Sequence, residues 1–208
     1  MFFGNKDIDR DTPVSFINDD INDLNKYIEE GRYFYTEIKE EGVILYNSGK
    51  YKLARKSKLK FEEIKVQAQE YFDEKFEKGN NFLKGAKYYY EEKDYKMASF
   101  MLHQACENYY HAIRLSFTLR NNKQHNLSKL SSFVKKFSEE LLKVFPQNSP
   151  EEKRLFVLIK AAYVDARYNP DFVVTKDNID QLIPKVELLR DITERICNER
   201  IESYGRNG

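Results

Sequence analysis

The chain has no tryptophan, two cysteines, three histidines and only eight glycines among its 208 residues. Each scarcity excludes something. So few glycines argue against a doubly wound nucleotide fold, whose phosphate loops need glycine for close backbone approach. Cys106 and Cys197 lie far apart and match no metal-ligand spacing. They are expected as free thiols of a reducing cytoplasm. None of His103, His111 and His125 has a glutamate three residues before it, as carboxylate-bridged di-iron bundles require. There is no HExxH, no GxSxG and no phosphate-binding loop signature. No metal site is expected. The chain contains no apolar run of about 18 residues, so no membrane-spanning helix is expected. Its first residues lack the basic flank and apolar stretch of a signal peptide.

Charge of one sign is lacking as well. Lysine and arginine number 35 against 34 acids, for a formal net charge of +1. That balance gives no global reason to expect DNA or an anionic membrane as partner. The exception is local. Lys50, Lys52, Arg55, Lys56, Lys58 and Lys60 follow one another with no acid between them. This run is either a solvated linker or a phosphate-facing edge.

What the chain does have is 41% hydrophobic residues, 33% charged residues, 15 tyrosines and 15 phenylalanines. Such a mixture builds a helical core with phenolic tips at its edge. The periodicity agrees from about residue 61 onward. One helix is predicted over 61–92, with a bend near Gly79 and Gly85, and a second over 94–119. A polar loop at 121–125 precedes a third over 127–145, which Pro146 ends. Ser149-Pro150-Glu151-Glu152 offers an N-cap, a proline at the first helical position and acids in the first turn. The fourth helix therefore starts there and runs to about Tyr168, before Pro170. Thr175 caps a fifth, reaching toward Gly205. Pro184 should kink it or move its start.

Residues 1–55 read differently. Pro13–Asn18 and Val43–Tyr46 are strand candidates around a helix at 19–30. The expected fold is thus mainly α, an up-and-down bundle of about five helices. A small N-terminal α/β remnant over 1–55 precedes the bundle over 56–208.

The second bundle helix carries the densest information. Ala98, Leu102, Ala105, Tyr109, Ala112 and Ser116 share one face, where small residues permit close helix approach. Gln104, Glu107, His111, Arg114 and Thr118 form a polar stripe beside it. Glu107 can reach His103 at i−4 and His111 at i+4. These groups either satisfy one another at loops and a dimer edge, or bind a nucleotide or RNA, or act in catalysis. Binding would use arginine for phosphate, a ring for stacking and glutamate or glutamine for base edges. His125, in the polar loop, is expected to be solvated.

The pattern Ala98…His103-Gln104-Ala105-Cys106-Glu107…Ala112, then Asp165-Ala166-Arg167-Tyr168 before a proline, resembles the HEPN family, the higher-eukaryote and prokaryote nucleotide-binding domain. The resemblance covers roughly residues 65–200. It implies an up-and-down helical bundle, commonly homodimeric, with a nucleotide or RNA as ligand. Residues 25–49, with Tyr27-Ile28-Glu29-Glu30-Gly31-Arg32-Tyr33-Phe34 and Gly42-Val43-Ile44-Leu45-Tyr46, resemble the closing part of a minimal nucleotidyltransferase domain, which some bacterial proteins fuse to HEPN. Asp7 and Asp9 mimic the metal-binding aspartate pair of that domain. Gly4 is followed by Asn5, however, and its Gly-Ser loop is missing, so nucleotide transfer by this chain is not expected. The ribonuclease branch of HEPN places a histidine after an arginine with four to six residues between them. Arg167 fits that arginine, but Phe172, Val173 and Val174 stand where the histidine would fall.

No residue is therefore assigned a catalytic role. The expected ligand-binding residues are Arg167, Tyr168, His103, Glu107 and His111, with a purine nucleotide or RNA as ligand. A homodimer or a nucleotidyltransferase domain is the expected protein partner. Two alternatives stand beside this reading. One is a fragment of a nucleotidyltransferase–HEPN enzyme. The other is a metal-independent ribonuclease with a rearranged acid/base at His103 or His111.

Overall fold

A computed structural model describes residues 18–29, 33–55, 61–119 and 124–204. Its elements are α1 (Ile21–Glu29), α2 (Tyr33–Glu41), α3 (Phe61–Glu91), α4 (Tyr95–Thr118), α5 (Leu127–Val134), α6 (Leu141–Val144), α7 (Pro150–Tyr168) and α8 (Lys176–Tyr204). A 3-10 turn at Lys135–Phe137 follows α5.

Helix α4 is the axis of the bundle. It packs on α3, α5, α7 and α8. Ala98, Leu102, Ala105, Tyr109, Ala112 and Ser116 are all fully buried, as their shared face requires. A helix covered on several sides must also bury polar positions, and here these include His103, Glu107 and Arg114. Its start is fixed by Asp94, whose side chain accepts from the Met97 N–H at 2.9 Å. A turn with Lys93 at φ 61° reverses the chain between α3 and α4.

The start of α7 is built as the sequence indicates. Ser149 accepts from the Glu152 N–H at 3.2 Å, and the Glu152 carboxylate accepts from the Ser149 N–H at 3.1 Å. This reciprocal cap satisfies two otherwise orphaned donors. At the other end of α7, Lys96 donates to the Asn169 carbonyl at 2.8 Å. A cation at a helix C-terminus is favourable there, and this one fastens the end of α7 to α4. Tyr204 fastens α8 likewise, donating to the Ser116 carbonyl at 3.0 Å.

Three expectations need correction. No α/β remnant is present: the described residues contain no strand. Val43–Tyr46 is irregular, with a bend at Leu45, and Leu45 is 94% exposed. Branched and aromatic side chains favour a strand only where a neighbouring strand takes the backbone N–H and C=O groups, and none does so here. The other strand candidate, Pro13–Asn18, lies outside the described residues but for Asn18, as do Asp7 and Asp9. The third bundle helix is also not continuous over 127–145. Ser138 is extended, with φ −157° and ψ 130°, and its hydroxyl accepts from the Glu140 N–H at 3.3 Å. Serine competes with helix for backbone groups in this way. The break lets Phe137 stack on Phe117, with centroids 4.5 Å apart. Finally, of the two outcomes expected at Pro184, a later start is not seen, since α8 runs from Lys176 through Pro184. Pro184 is on the exposed side, where water can take the Asp180 carbonyl that proline leaves without a donor.

Candidate functional site

The second half of α7 ends in Tyr163-Val164-Asp165-Ala166-Arg167-Tyr168, and it packs on α4. One helical turn separates Tyr163 from Arg167, so both can meet the same neighbour. The Arg167 Nε–H donates to the Tyr163 carbonyl at 2.9 Å. Its guanidinium carbon lies 4.7 Å from the centre of the Tyr163 ring, 5.0 Å from that of Tyr168 and 5.1 Å from that of Phe100. Arginine favours such π surfaces because it is planar and weakly hydrated. Arg167 is exposed, and Tyr168 is 72% exposed. No carboxylate pairs with Arg167 among the described residues. The result is a solvent-facing cation framed by three rings.

Tyr163 links this platform to the buried polar groups of α4. Its ring lies 5.1 Å from that of His103. His103 is buried, and its Nδ1 lies 2.8 Å from the Ile159 carbonyl oxygen. A carbonyl only accepts, so Nδ1 carries a proton. The other ring nitrogen, Nε2, faces Glu107 Oε2 at 3.6 Å, outside hydrogen-bond distance. Glu107 Oε1 is 3.0 Å from His125 Nδ1. One carboxylate thus joins a buried imidazole to an exposed one. Burial by itself would raise the Glu107 pKa, but the His103 and His125 side chains outweigh it and hold the carboxyl below its ordinary value. These three groups do not form a metal-binding cluster, and no other three His, Cys, Asp or Glu residues do so among the described residues.

Four of the five expected residues thus form a chain: Tyr168, Arg167, His103 and Glu107, with Tyr163 between the second and third. His111 does not join it through Glu107. Its Nε2 donates to the Gln124 carbonyl at 2.8 Å, which holds the loop before α5. Burial pushes the His111 pKa down. Glu107 takes His125 as its second partner, so the histidine expected to be merely solvated belongs to the network. Tyr163 and Phe100 were missed too. A signal for both existed: Tyr163 precedes Arg167 by four residues, and Phe100 precedes His103 by three.

Other reactive groups are silenced by burial. Cys106 and Cys197 are free and buried. Burial raises the Cys106 thiol far above its ordinary value and pushes Cys197 up to about 12. Neither is a ready nucleophile, because the thiolate is the reactive form. No described helix is long and apolar enough to cross a membrane.

The described residues form an all-helical bundle with a polar central helix and an arginine at the end of its neighbour. The HEPN domain model matches residues 72–196, and the chain belongs to the HEPN domain family. The family match adds that it is a nucleotide- or RNA-binding or ribonuclease module. The match begins within α3 and ends within α8, and nothing supports the expected nucleotidyltransferase segment at 1–55. No curated protein matches the chain.

Proposed function

We propose that the chain is a nucleotide- or RNA-binding and dimerisation module of the HEPN family, without the arginine–histidine ribonuclease motif. The observation that carries this reading is Arg167, an exposed guanidinium among three rings with no carboxylate competing for it. Arg167 takes a phosphate, Tyr168 offers a stacking face, and Glu107 orients His125 while facing His103 behind Tyr163. His111 acts indirectly, by holding the loop that carries His125. A purine nucleotide is the simplest ligand with both a phosphate and a ring. Direct binding of ATP, GTP and a short RNA, to wild type and Arg167→Ala, tests the reading. Binding lost in the variant supports it, and no binding by wild type to any of the three refutes it.

The dimer is carried by family membership. Sedimentation tests it, and a strict monomer counts against it. A division near residue 55 accords with the family match falling wholly beyond it. A partner nucleotidyltransferase domain draws support from the exposure of Val43, Ile44, Leu45 and Tyr46, and co-migration with such a domain is its test.

One observation favours a second reading, ribonuclease chemistry without a metal. That observation is Glu107, whose carboxylate lies 3.0 Å from His125 Nδ1 and faces His103 Nε2 at 3.6 Å, setting two imidazoles about one carboxylate as acid/base groups. Cleavage unaffected by a chelator, and lost in Arg167→Ala and in either His111→Ala or His125→Ala, would establish it.

A further inference from the structure

Several basic side chains on this bundle have an acid beside them. Lys65 pairs with Glu202, Lys78 with Glu74, Lys87 with Glu187 and Lys176 with Asp180, all within 2.9 Å. Others do not, and three of those stand around one hollow. Between α5 and α7 lies a hollow of about 380 Å³, lined by Ser128, Ser131, Ser132, Lys135, Lys153 and Lys160 with Phe156 beside them. No acid lines it. The nearest carboxylate in sequence, Glu152, is occupied by the backbone N–H groups of Asn148 and Ser149. Lys135 and Lys153 make no ion pair or side-chain hydrogen bond among the described residues, and Lys160 only lies over the Phe156 ring at 5.1 Å. Three cations and the Ser128 and Ser132 hydroxyls, with no anion of the protein's own, suit a phosphate group; Ser131 is buried, with its hydroxyl against Tyr110.

The hollow is not isolated from Arg167. Lys153, Lys160 and Arg167 follow at intervals of seven residues on α7. Seven residues are about two turns, so the three share one face, roughly 10 Å apart along the axis. Between them the face carries Val157 and Val164, 57% and 52% exposed, and no acid. A second copy of the chain is a poor occupant for this stripe. Two-fold pairing would set Lys153, Lys160 and Arg167 against the same charges. A flexible polyanion with apolar bases suits both the spaced cations and the apolar gaps.

We infer that the Ser131–Lys160 hollow is a second phosphate site, and that a single strand of RNA runs along α7 from it to the Arg167 platform. The inference rests on the nucleotide-binding reading of Arg167 and extends it. Single-strand affinity then depends on Lys153 and Lys160 as well as on Arg167. AMP carries one phosphate and one ring, so the part of its affinity lost in Arg167→Ala reports on the Arg167 platform.

The test is fluorescence anisotropy with a labelled 12-residue oligouridylate over a range of salt concentrations, together with AMP titrations. The proteins are wild type, Lys153→Gln/Lys160→Gln and Arg167→Ala, each checked for an unchanged thermal transition. Losing two phosphate contacts lowers the slope of log affinity against log salt by about 1.4, and weakens binding about tenfold at moderate salt. Unchanged slope and affinity in the double lysine variant overturn the track, and leave the Arg167 reading intact if AMP and the oligonucleotide still bind wild type and fail with Arg167→Ala. Failure of wild type to bind either probe overturns both.

Discussion

The rings of His103 and Tyr163 lie 5.1 Å apart, and the opposite neighbour of Tyr163 is the Arg167 guanidinium, 4.7 Å from its centre. Tyr163 is therefore the joint between the buried polar groups of α4 and the exposed cation of α7. Its contributions are the ring and its backbone carbonyl. The first prediction is that Tyr163→Ala weakens nucleotide binding severalfold while Tyr163→Phe keeps it. Titration calorimetry on both variants decides it. Equal loss in the two would shift the role to the phenol hydroxyl.

Acid stability should fall in two stages. Burial keeps His111 below its ordinary pKa of about 6.5. As pH drops below that value, the unfolded chain takes up this proton before the folded one does, so folding loses stability. Glu107 is also depressed, from an ordinary value near 4.5. Its stabilisation is present above that value and is lost as pH falls through the folded pKa. Urea melts from pH 7.5 to 3 should show the upper stage vanish in His111→Gln and the lower stage shrink in Glu107→Gln. At pH 7, Glu107→Gln should cost about 1–2 kcal/mol, since His103 keeps a buried nitrogen without its charged partner.

Two glycines of α3 should respond in opposite directions. A Cβ at Gly79 would sit 2.5 Å from the Tyr109 ring, and that ring is buried and held by its hydroxyl donating to Asn80 at 2.8 Å. Gly79→Ala should therefore destabilise by about 1–3 kcal/mol. A Cβ at Gly85 meets only the Met101 side chain, with Sδ at 3.5 Å and Cγ at 3.8 Å, both ordinary contacts. Gly85→Ala should stabilise by up to about 1 kcal/mol through helix propensity. Thermal and urea unfolding of the pair measure the sign directly.

Pro184 interrupts the hydrogen-bond ladder of α8 on an exposed face. Pro184→Ala restores the missing donor without adding bulk to the core. It should raise stability by about 1–3 kcal/mol. A lower melting temperature would show that the proline shapes α8 in a way packing requires.

Sequence by itself determined the elements whose causes are local. The Ser149 cap, the stop at Pro170 and the small-residue face of α4 depend on neighbours within a turn or two, and each is built as the residues imply. The bundle class followed because helical periodicity continues through most of the chain. Tertiary structure decided the rest. Val43–Tyr46 has strand-forming side chains but no pairing strand among the described residues, and a strand needs that distant partner. Ser138 yields its helix to aromatic packing against Phe117. Spacing on α4 allowed Glu107 both His103 and His111 as neighbours, but its pairing with His125 instead of His111 depends on where the loop before α5 returns. The same holds for Arg167. Its position before a proline was legible, whereas its three rings come from two helices, and only their packing brings Phe100 to it.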